Sequence, residues 1–342
     1  MPNFNTPSTF HVVNPSNPKV LIVGAGLGGL TLAILLEKAS IDYEIYERST
    51  SLISQGSGIS LTANVLPLME QLGLLGDLEK IWKKVRSGVL YNESGNEECL
   101  EYISKTDLTE IEGLSGYPTV IMSRPDLHAV LLSHVPTHKI HLGKRVLSIS
   151  QDDLGGVIIR TSDGMSHEGD ILVGCDGAHS SIRQSLYKLM AGKGPLPPSD
   201  TEDLKASHMS IHGTTRPMDF NVVPHSNDEA SRCTAVIGYK KPQTWRCYEV
   251  PGNRFCWRVD VQLQSKASIQ NETLKGGDWG TQSCVSTESE WWTYKVPLGQ
   301  NGTSITIGDL ISSTDDDQVS KVVLEEKVYT TWYHRRTVLI GD

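Results

Sequence analysis

Cysteine is scarce and unpatterned in this 342-residue chain. The six cysteines, Cys99, Cys175, Cys233, Cys247, Cys256 and Cys284, include no C-x-x-C pair and no histidine at zinc spacing. That argues against a zinc site or a disulfide framework, and reduced thiols are the reading. Cys247 and Cys256, which flank a hairpin turn, are the pair placed to neighbour each other. Positive charge is also short: 31 Lys and Arg against 40 Asp and Glu leave a net charge of −9. Such a balance argues against a nucleic-acid partner and offers no basic patch to a membrane. The uncharged run 20–36 has 17 residues. A bilayer span needs ~20, and glycines crowd the first half of this run, so a buried strand and helix account for it better. Residues 1–18 are polar and proline-bearing, without the apolar core of a signal peptide, and read as a disordered leader on a cytoplasmic protein. His128, His134, His138 and His141 lie close in sequence but lack carboxylate or thiolate co-ligands. They read as surface residues, and no metal is expected.

What the chain does have is concentrated in residues 20–48. An apolar strand, 20–23, breaks at Gly24-Ala25-Gly26-Leu27-Gly28-Gly29; an apolar helix runs to about Ser40; a second strand, 43–46, ends in Glu47-Arg48. This is a βαβ unit with G-x-G-x-x-G where a dinucleotide needs it. Gly24 permits the tight turn, Gly26 lets backbone amides approach a pyrophosphate, and Gly29 lets helix and strand pack closely. The helix start adds oriented donors and positive partial charge. Glu47 stands where a ribose is held.

A Ser/Gly-rich loop follows, with Gly56-Ser57-Gly58-Ile59 suited to close backbone approach, or simply to a surface loop. Helix-period apolar residues run from Asn64 to Trp82, and 85–114 reads as short strands in a solvated sheet. Ser123-Arg124-Pro125-Asp126 opens a helix over 127–135, and Arg124 in its first turn opposes the helix dipole unless an anion is near. Strands are expected over 140–149, 156–161 and 170–173. The last leads into Gly174-Cys175-Asp176-Gly177-Ala178-His179-Ser180-Ser181-Ile182-Arg183, a strand–turn–helix whose Asp176 and Arg183 suit one anionic, hydroxyl-rich ligand. Beyond a Pro/Gly-rich linker at 191–203, strands at 234–239, 244–250 and 255–263 read as antiparallel. Phe255, Trp257 and Val259 share one face and Cys256, Arg258 and Asp260 the other. That apolar face reads as core or as a wall over a substrate, with Arg246, Tyr248 and Trp257 as substrate-facing candidates. Residues 320–327 read as a short helix, 328–333 and 337–340 as strands.

In chain order, Gly24-x-Gly26-x-x-Gly29 with Glu47-Arg48, then Asp176-Gly177, then Gly341-Asp342 resemble the three fingerprints of FAD-dependent aromatic-type monooxygenases of the p-hydroxybenzoate hydroxylase superfamily. The resemblance runs from about Lys19 to the last residue and is nearest to fungal zeaxanthin-epoxidase-like or salicylate-hydroxylase-like members. It implies an α/β fold, a Rossmann-like FAD-binding domain with an inserted, mostly antiparallel β-sheet substrate domain. The expected division is 19–84 and 120–190 for the FAD domain, 85–119 and 204–305 for the substrate sheet, and a return at 306–342. The cofactor-binding set implied is Gly24, Ala25, Gly26, Gly29, Glu47, Arg48, Gly58, Arg124, Asp176, Gly177, Arg183, Gly341 and Asp342, with Glu47 on the ribose, Arg48 against the adenine, and Asp342 on a ribityl hydroxyl. NADH or NADPH would reduce FAD without a Rossmann domain of its own. O₂ would add at flavin C4a to give a hydroperoxide that hydroxylates or epoxidises an apolar or aromatic small molecule. No catalytic side chain is expected, because the cofactor carries the chemistry. Relatives continue past Gly-Asp with Pro-x-x-Gly-x-Gly and long helices that this chain does not contain, so it reads as C-terminally truncated, with weak or no activity of its own. Rival readings are a nucleotide-binding remnant without catalysis and an NAD-dependent Rossmann dehydrogenase.

Overall fold

The computed structural model describes residues 17–52, 56–93, 100–151, 155–191, 194–219, 230–240, 242–263, 290–297 and 304–341. The chain forms two compact units. Met1–Ile53, Leu131–Asp203 and Lys327–Asp342 make the first; Ser54–Val130 and Leu204–Glu326 make the second. By this division residues 54–84, 120–130 and 306–326 fall in the second unit.

The first unit is built on a sheet whose strands run, in spatial order, Tyr333–His334, Thr337–Leu339, Ile171–Gly174, Lys19–Val23, Asp42–Tyr46 and Ile140–His141. All neighbours pair parallel except the edge hairpin of Tyr333–His334 with Thr337–Leu339. Central parallel strands are covered on both faces and so carry unbroken apolar runs. Leu21, Ile22, Ile45 and Leu172 are accordingly fully buried. Helix Leu27–Lys38 buries Gly29, Leu30, Ala33 and Ile34. Helix Ser181–Met190 sends Ile182 and Leu186 into a core shared with Leu21, Val23, Leu172 and Leu339. A separate antiparallel sheet of Val146–Gln151, Val157–Thr161 and Ser166–Gly169 adds Val146, Ile149, Val157 and Ile159 to that core. The expected strand over 140–149 is split, because Gly143 turns the chain at φ +69°. Its amide donates to the Ser49 carbonyl, and that of Lys144 to the Glu47 carbonyl.

The second unit is a nine-stranded mixed sheet among the described residues. Its path runs Ser320–Glu326, Lys205–Thr214, Arg254–Gln262, Gln243–Val250, Ala230–Ile237, Trp82–Glu93, Val120–Ser123, Gly58–Leu61, with Leu100–Asp107 paired to Trp82–Glu93. One contact, Ala230–Ile237 on Trp82–Glu93, is parallel. The expected helix over 320–327 is instead a strand, Ser320–Glu326: Lys321 pairs opposite Ile211, and the β-branched Val322-Val323 suits a pleated surface. Where short strands were expected over 85–114, a twelve-residue strand, Trp82–Glu93, is followed by an eight-residue one and a short helix, Thr109–Ser115.

One sheet face carries Met209, Ile211, Trp245, Cys247, Phe255, Trp257 and Val259. Tyr294, Val296, Ile305 and helix Ile307–Ser312 pack over it through Ile307, Leu310 and Ile311. That face is core. Trp257 is fully buried and donates its indole N–H to Thr314 Oγ1 at 2.9 Å, so it is not a substrate-facing residue. Cys247 and Cys256 are offset by one register step, each lying opposite the other's neighbour, and both are free thiols.

Candidate nucleotide site

Four parallel strands of the first unit end at one edge of its sheet. Lys19–Val23 runs into the glycine turn, Asp42–Tyr46 into Glu47-Arg48, Ile171–Gly174 into Cys175-Asp176-Gly177, and Thr337–Leu339 into Ile340-Gly341. From Lys19–Val23 the chain steps to Asp42–Tyr46 on one side, while Ile171–Gly174 lies on the other. Strand order reverses between these central neighbours, and there an open α/β sheet has its ligand crevice.

The glycine turn is held from both sides. The Gly24 amide donates to the Tyr46 carbonyl at 2.9 Å, and Cys175 N–H to the Val23 carbonyl at 2.7 Å. Gly24 has φ +105°, and a Cβ there would lie 2.4 Å from the Cys175 carbonyl oxygen. A Cβ on Gly29 would lie 2.0 Å from the Gly24 oxygen, so the helix can sit this close only on glycine. Gly26 differs. It is the N-cap of helix Leu27–Lys38, supplies no side-chain acceptor, and a Cβ on it would meet open space. The first-turn amides are left facing that opening, as an anion site requires.

Glu47 reaches back to this turn. Its Oε2 accepts the Ala25 amide at 2.9 Å and its Oε1 the Ser49 amide at 2.8 Å. Each oxygen keeps a further lone pair for a ligand hydroxyl. Arg48, next along, is exposed.

Asp176 is engaged as a helix cap. Its Oδ2 accepts the Ser181 and Ile182 amides at 2.7 and 3.2 Å and the Ser181 hydroxyl at 3.0 Å; its Oδ1 accepts the Ser180 hydroxyl at 2.5 Å. Ser180 Oγ in turn accepts the Arg183 amide at 2.9 Å. The buried Arg183 guanidinium donates to the Ala178 carbonyl and stacks 4.1 Å over the Tyr329 ring. Asp176, Gly177 and Arg183 line a cleft with Tyr329, Trp332 and Gly341. Tyr329 and Trp332 were not foreseen as site residues, because 328–333 reads as strand. Instead the Asp200 carboxylate accepts the Thr330 and Thr331 amides at 2.7 and 3.0 Å and holds the segment irregular. Asp342 lies outside the described residues.

Two of the expected residues belong to the second unit. The Arg124 amide donates to the Ser57 carbonyl at 2.8 Å, and Gly56, at φ +134°, leaves room for the Arg124 side chain: a Cβ there would lie 3.3 Å from its Cδ. Gly58 is in a strand against Tyr248; a Cβ on it would lie 2.2 Å from that ring. Of the four clustered histidines, His128 is buried rather than surface, and His141 stacks on Tyr46 with ring centroids 5.0 Å apart. Burial raises the Cys175 thiol to about 12 and Cys256 to about 11, so neither is a thiolate nucleophile at neutral pH.

A parallel sheet with a glycine-rich turn, an uncapped helix start and a carboxylate beside it defines a dinucleotide-binding α/β protein. Residues 17–265 match the FAD binding domain family, and the chain belongs to that family. Among characterised proteins it is 29% identical to the FAD-dependent monooxygenase nvfK of Aspergillus novofumigatus, over 95% of this chain and 64% of that protein. It is likewise 29% identical to the FAD-dependent monooxygenase pyr5 of Aspergillus fumigatus, over 95% and 66%. The chain thus spans about two thirds of the length of these relatives. The fold is shared with Klebsiella pneumoniae HpxO complexed with FAD and uric acid, at a TM-score of 0.67 and 22% identity over 95% of this chain and 72% of that one. It is also shared with 2,6-dihydroxypyridine-3-hydroxylase of Arthrobacter nicotinovorans, at 0.63 and 19% over 96% and 78%. The residues present fit FAD: open backbone at Gly26 and Gly177 can meet phosphates, and Glu47 has acceptor capacity for a ribose.

Proposed function

We propose that the protein is an FAD- and NAD(P)H-dependent monooxygenase that places one oxygen atom of O₂ on an apolar or aromatic small molecule, the second leaving as water. The observation that supports this most is the Glu47 carboxylate on the Ala25 amide, beside an uncapped helix start, in a chain of the FAD binding domain family. FAD when bound supplies the oxygen-activating redox chemistry. The residues of this chain bind and orient it. Leu27, Gly28 and Gly29 amides would meet the pyrophosphate, Glu47 the ribose, and the Asp176-Gly177 turn, fixed by its capping bonds, the middle of the cofactor. Gly58, Arg48, Arg124, Arg183, Gly341 and Asp342 complete the proposed set. Residues 1–342 alone are proposed to hold FAD weakly and turn over poorly. The test is purification of this chain and of the full-length protein, followed by flavin absorbance, NADH and NADPH oxidation, and oxygenated-product analysis. Flavin with coupled product in the full-length protein supports the reading. Bound NAD without flavin would make it a dehydrogenase, and tight FAD without product in any screen would make it a binding remnant.

A further inference from the structure

Arg183 is a buried cation that no carboxylate answers. Among the described residues its guanidinium forms no ion pair; it donates to the Ala178 carbonyl and lies 4.1 Å from the centroid of the Tyr329 ring. Taking a guanidinium out of water is costly unless something compensates its charge. The face of an aromatic ring does so in part, and more strongly where water is excluded. A ring face, unlike a carboxylate, neither neutralises the cation nor occupies its N–H donors, so both remain for a ligand.

The ring stands on backbone without regular structure. Residues 327–332 follow strand Ser320–Glu326, precede the edge strand Tyr333–His334 and belong to neither. Their place is set by groups from residues 187–202. The buried Asp200 carboxylate accepts the Thr330 amide through Oδ1 and the Thr331 amide through Oδ2, directly beyond Tyr329. The Ser199 and Thr330 hydroxyls lie 2.8 Å apart, and the Tyr187 hydroxyl donates to the Thr331 carbonyl at 3.4 Å. The Lys327 ammonium donates to the Asp200 and Glu202 carbonyls and comes 4.8 Å from the centroid of the same ring. Of these ties Asp200 is the charged one and grips two consecutive amides, so it is the principal anchor. Tyr329 and Arg183 line one cleft with Asp176, Gly177 and Gly341.

We propose that Tyr329 is a positioning residue for the flavin half of the cofactor: its ring, anchored by Asp200, holds the Arg183 guanidinium in that cleft to meet the part of FAD that ADP lacks. The role rests on the reading of this chain as a flavin binder.

The test titrates FAD and ADP calorimetrically into this chain and its variants. Y329L removes the ring and is expected to weaken FAD about tenfold, the worth of one desolvated cation–π contact, while ADP changes by less than about twofold. Y329F keeps the ring and is expected to bind both ligands as the wild type does. D200N, which can accept one of the two amides, is expected to weaken FAD in the same sense and again spare ADP. In D200N/Y329L the loss is expected to equal that of Y329L alone, because both changes act through one ring. Equal losses of FAD and ADP in Y329L, full FAD affinity in Y329L, or a loss in Y329F matching that in Y329L would each overturn the proposal. So would losses that multiply in the double variant. Y329L and Y329F alter a half-buried side chain and decide the matter even if D200N does not fold. A wild-type chain that takes up no FAD would overturn the flavin reading and this role with it; that failure shows before any substitution is compared.

Discussion

The Glu47 carboxylate holds the amide of Ala25, 22 residues earlier, at 2.9 Å. The acid at the end of the second strand is thus part of the glycine turn as well as its neighbour. A carboxamide in its place keeps the shape but removes the charge and one acceptor. Glu47→Gln is expected to weaken FAD and ADP about tenfold and to the same degree, since the change lies at the adenosine end. Calorimetric titration of both ligands checks this; an FAD loss that ADP does not share would move Glu47 away from the ribose.

Gly24 and Gly26 separate folding from binding. Alanine at Gly24 must adopt φ +105° with its Cβ 2.4 Å from a backbone oxygen, and the strand end cannot shift without breaking the Gly24–Tyr46 bond. A destabilisation of roughly 2–4 kcal/mol is expected from the strain and overpacking together. Gly26→Ala meets no atom and has an ordinary φ of −75°. It is expected to leave the urea midpoint in place and to weaken nucleotide binding by about tenfold or more, because the methyl projects where the phosphate must approach. Urea denaturation and flavin titration on the two variants measure both halves.

Asp176 is expected to matter first for stability. Removing its carboxylate strips the capping acceptors from helix Ser181–Met190. Asp176→Ala should cost about 1–2 kcal/mol, and Asp176→Ser, which can accept one of the amides, distinctly less. Thermal unfolding of the flavin-free chain would show it. An unchanged midpoint would mean that the Ser180 cap alone holds the helix start.

That double duty explains how far the sequence can be read. The βαβ unit was legible because each of its parts obeys a local rule: an apolar strand, glycines where φ or approach demands them, then an acid. The capping role of Asp176 was not, since it depends on how the chain turns after residue 177, and an Asp-Gly pair signals only that a turn exists. Residues 320–327 carry no helix cap. Their Val-Val-Leu centre suits helix or strand alike, and pairing with Lys205–Thr214, over a hundred residues away, decides for strand. Trp257 shows the same limit. Alternation gave its face correctly, but only the cover of helix Ile307–Ser312 makes that face core.

His212 supplies a prediction that needs no ligand. In the fold its pKa is about 4, against about 6.5 for an exposed imidazole. Between these values the unfolded chain takes a proton that the folded chain refuses, so unfolding gains ground as pH falls. The contribution of His212 is complete above pH ~6.5, declines towards pH ~4, and changes no further below that; its ceiling is about 3 kcal/mol. Burial of the imidazole is the largest cause; Arg258 and Arg124 add to it by repelling the imidazolium, and Asp260, which favours the charged form, opposes it. His212→Gln keeps a donor and an acceptor but cannot titrate. The difference in urea midpoint between wild type and H212Q is therefore expected to change between pH 7 and pH 4.5 in the sense of wild type losing more. Subtraction cancels the carboxylates common to both proteins. A difference flat with pH would mean that His212 titrates alike in both states and is not buried beside Arg258 and Arg124.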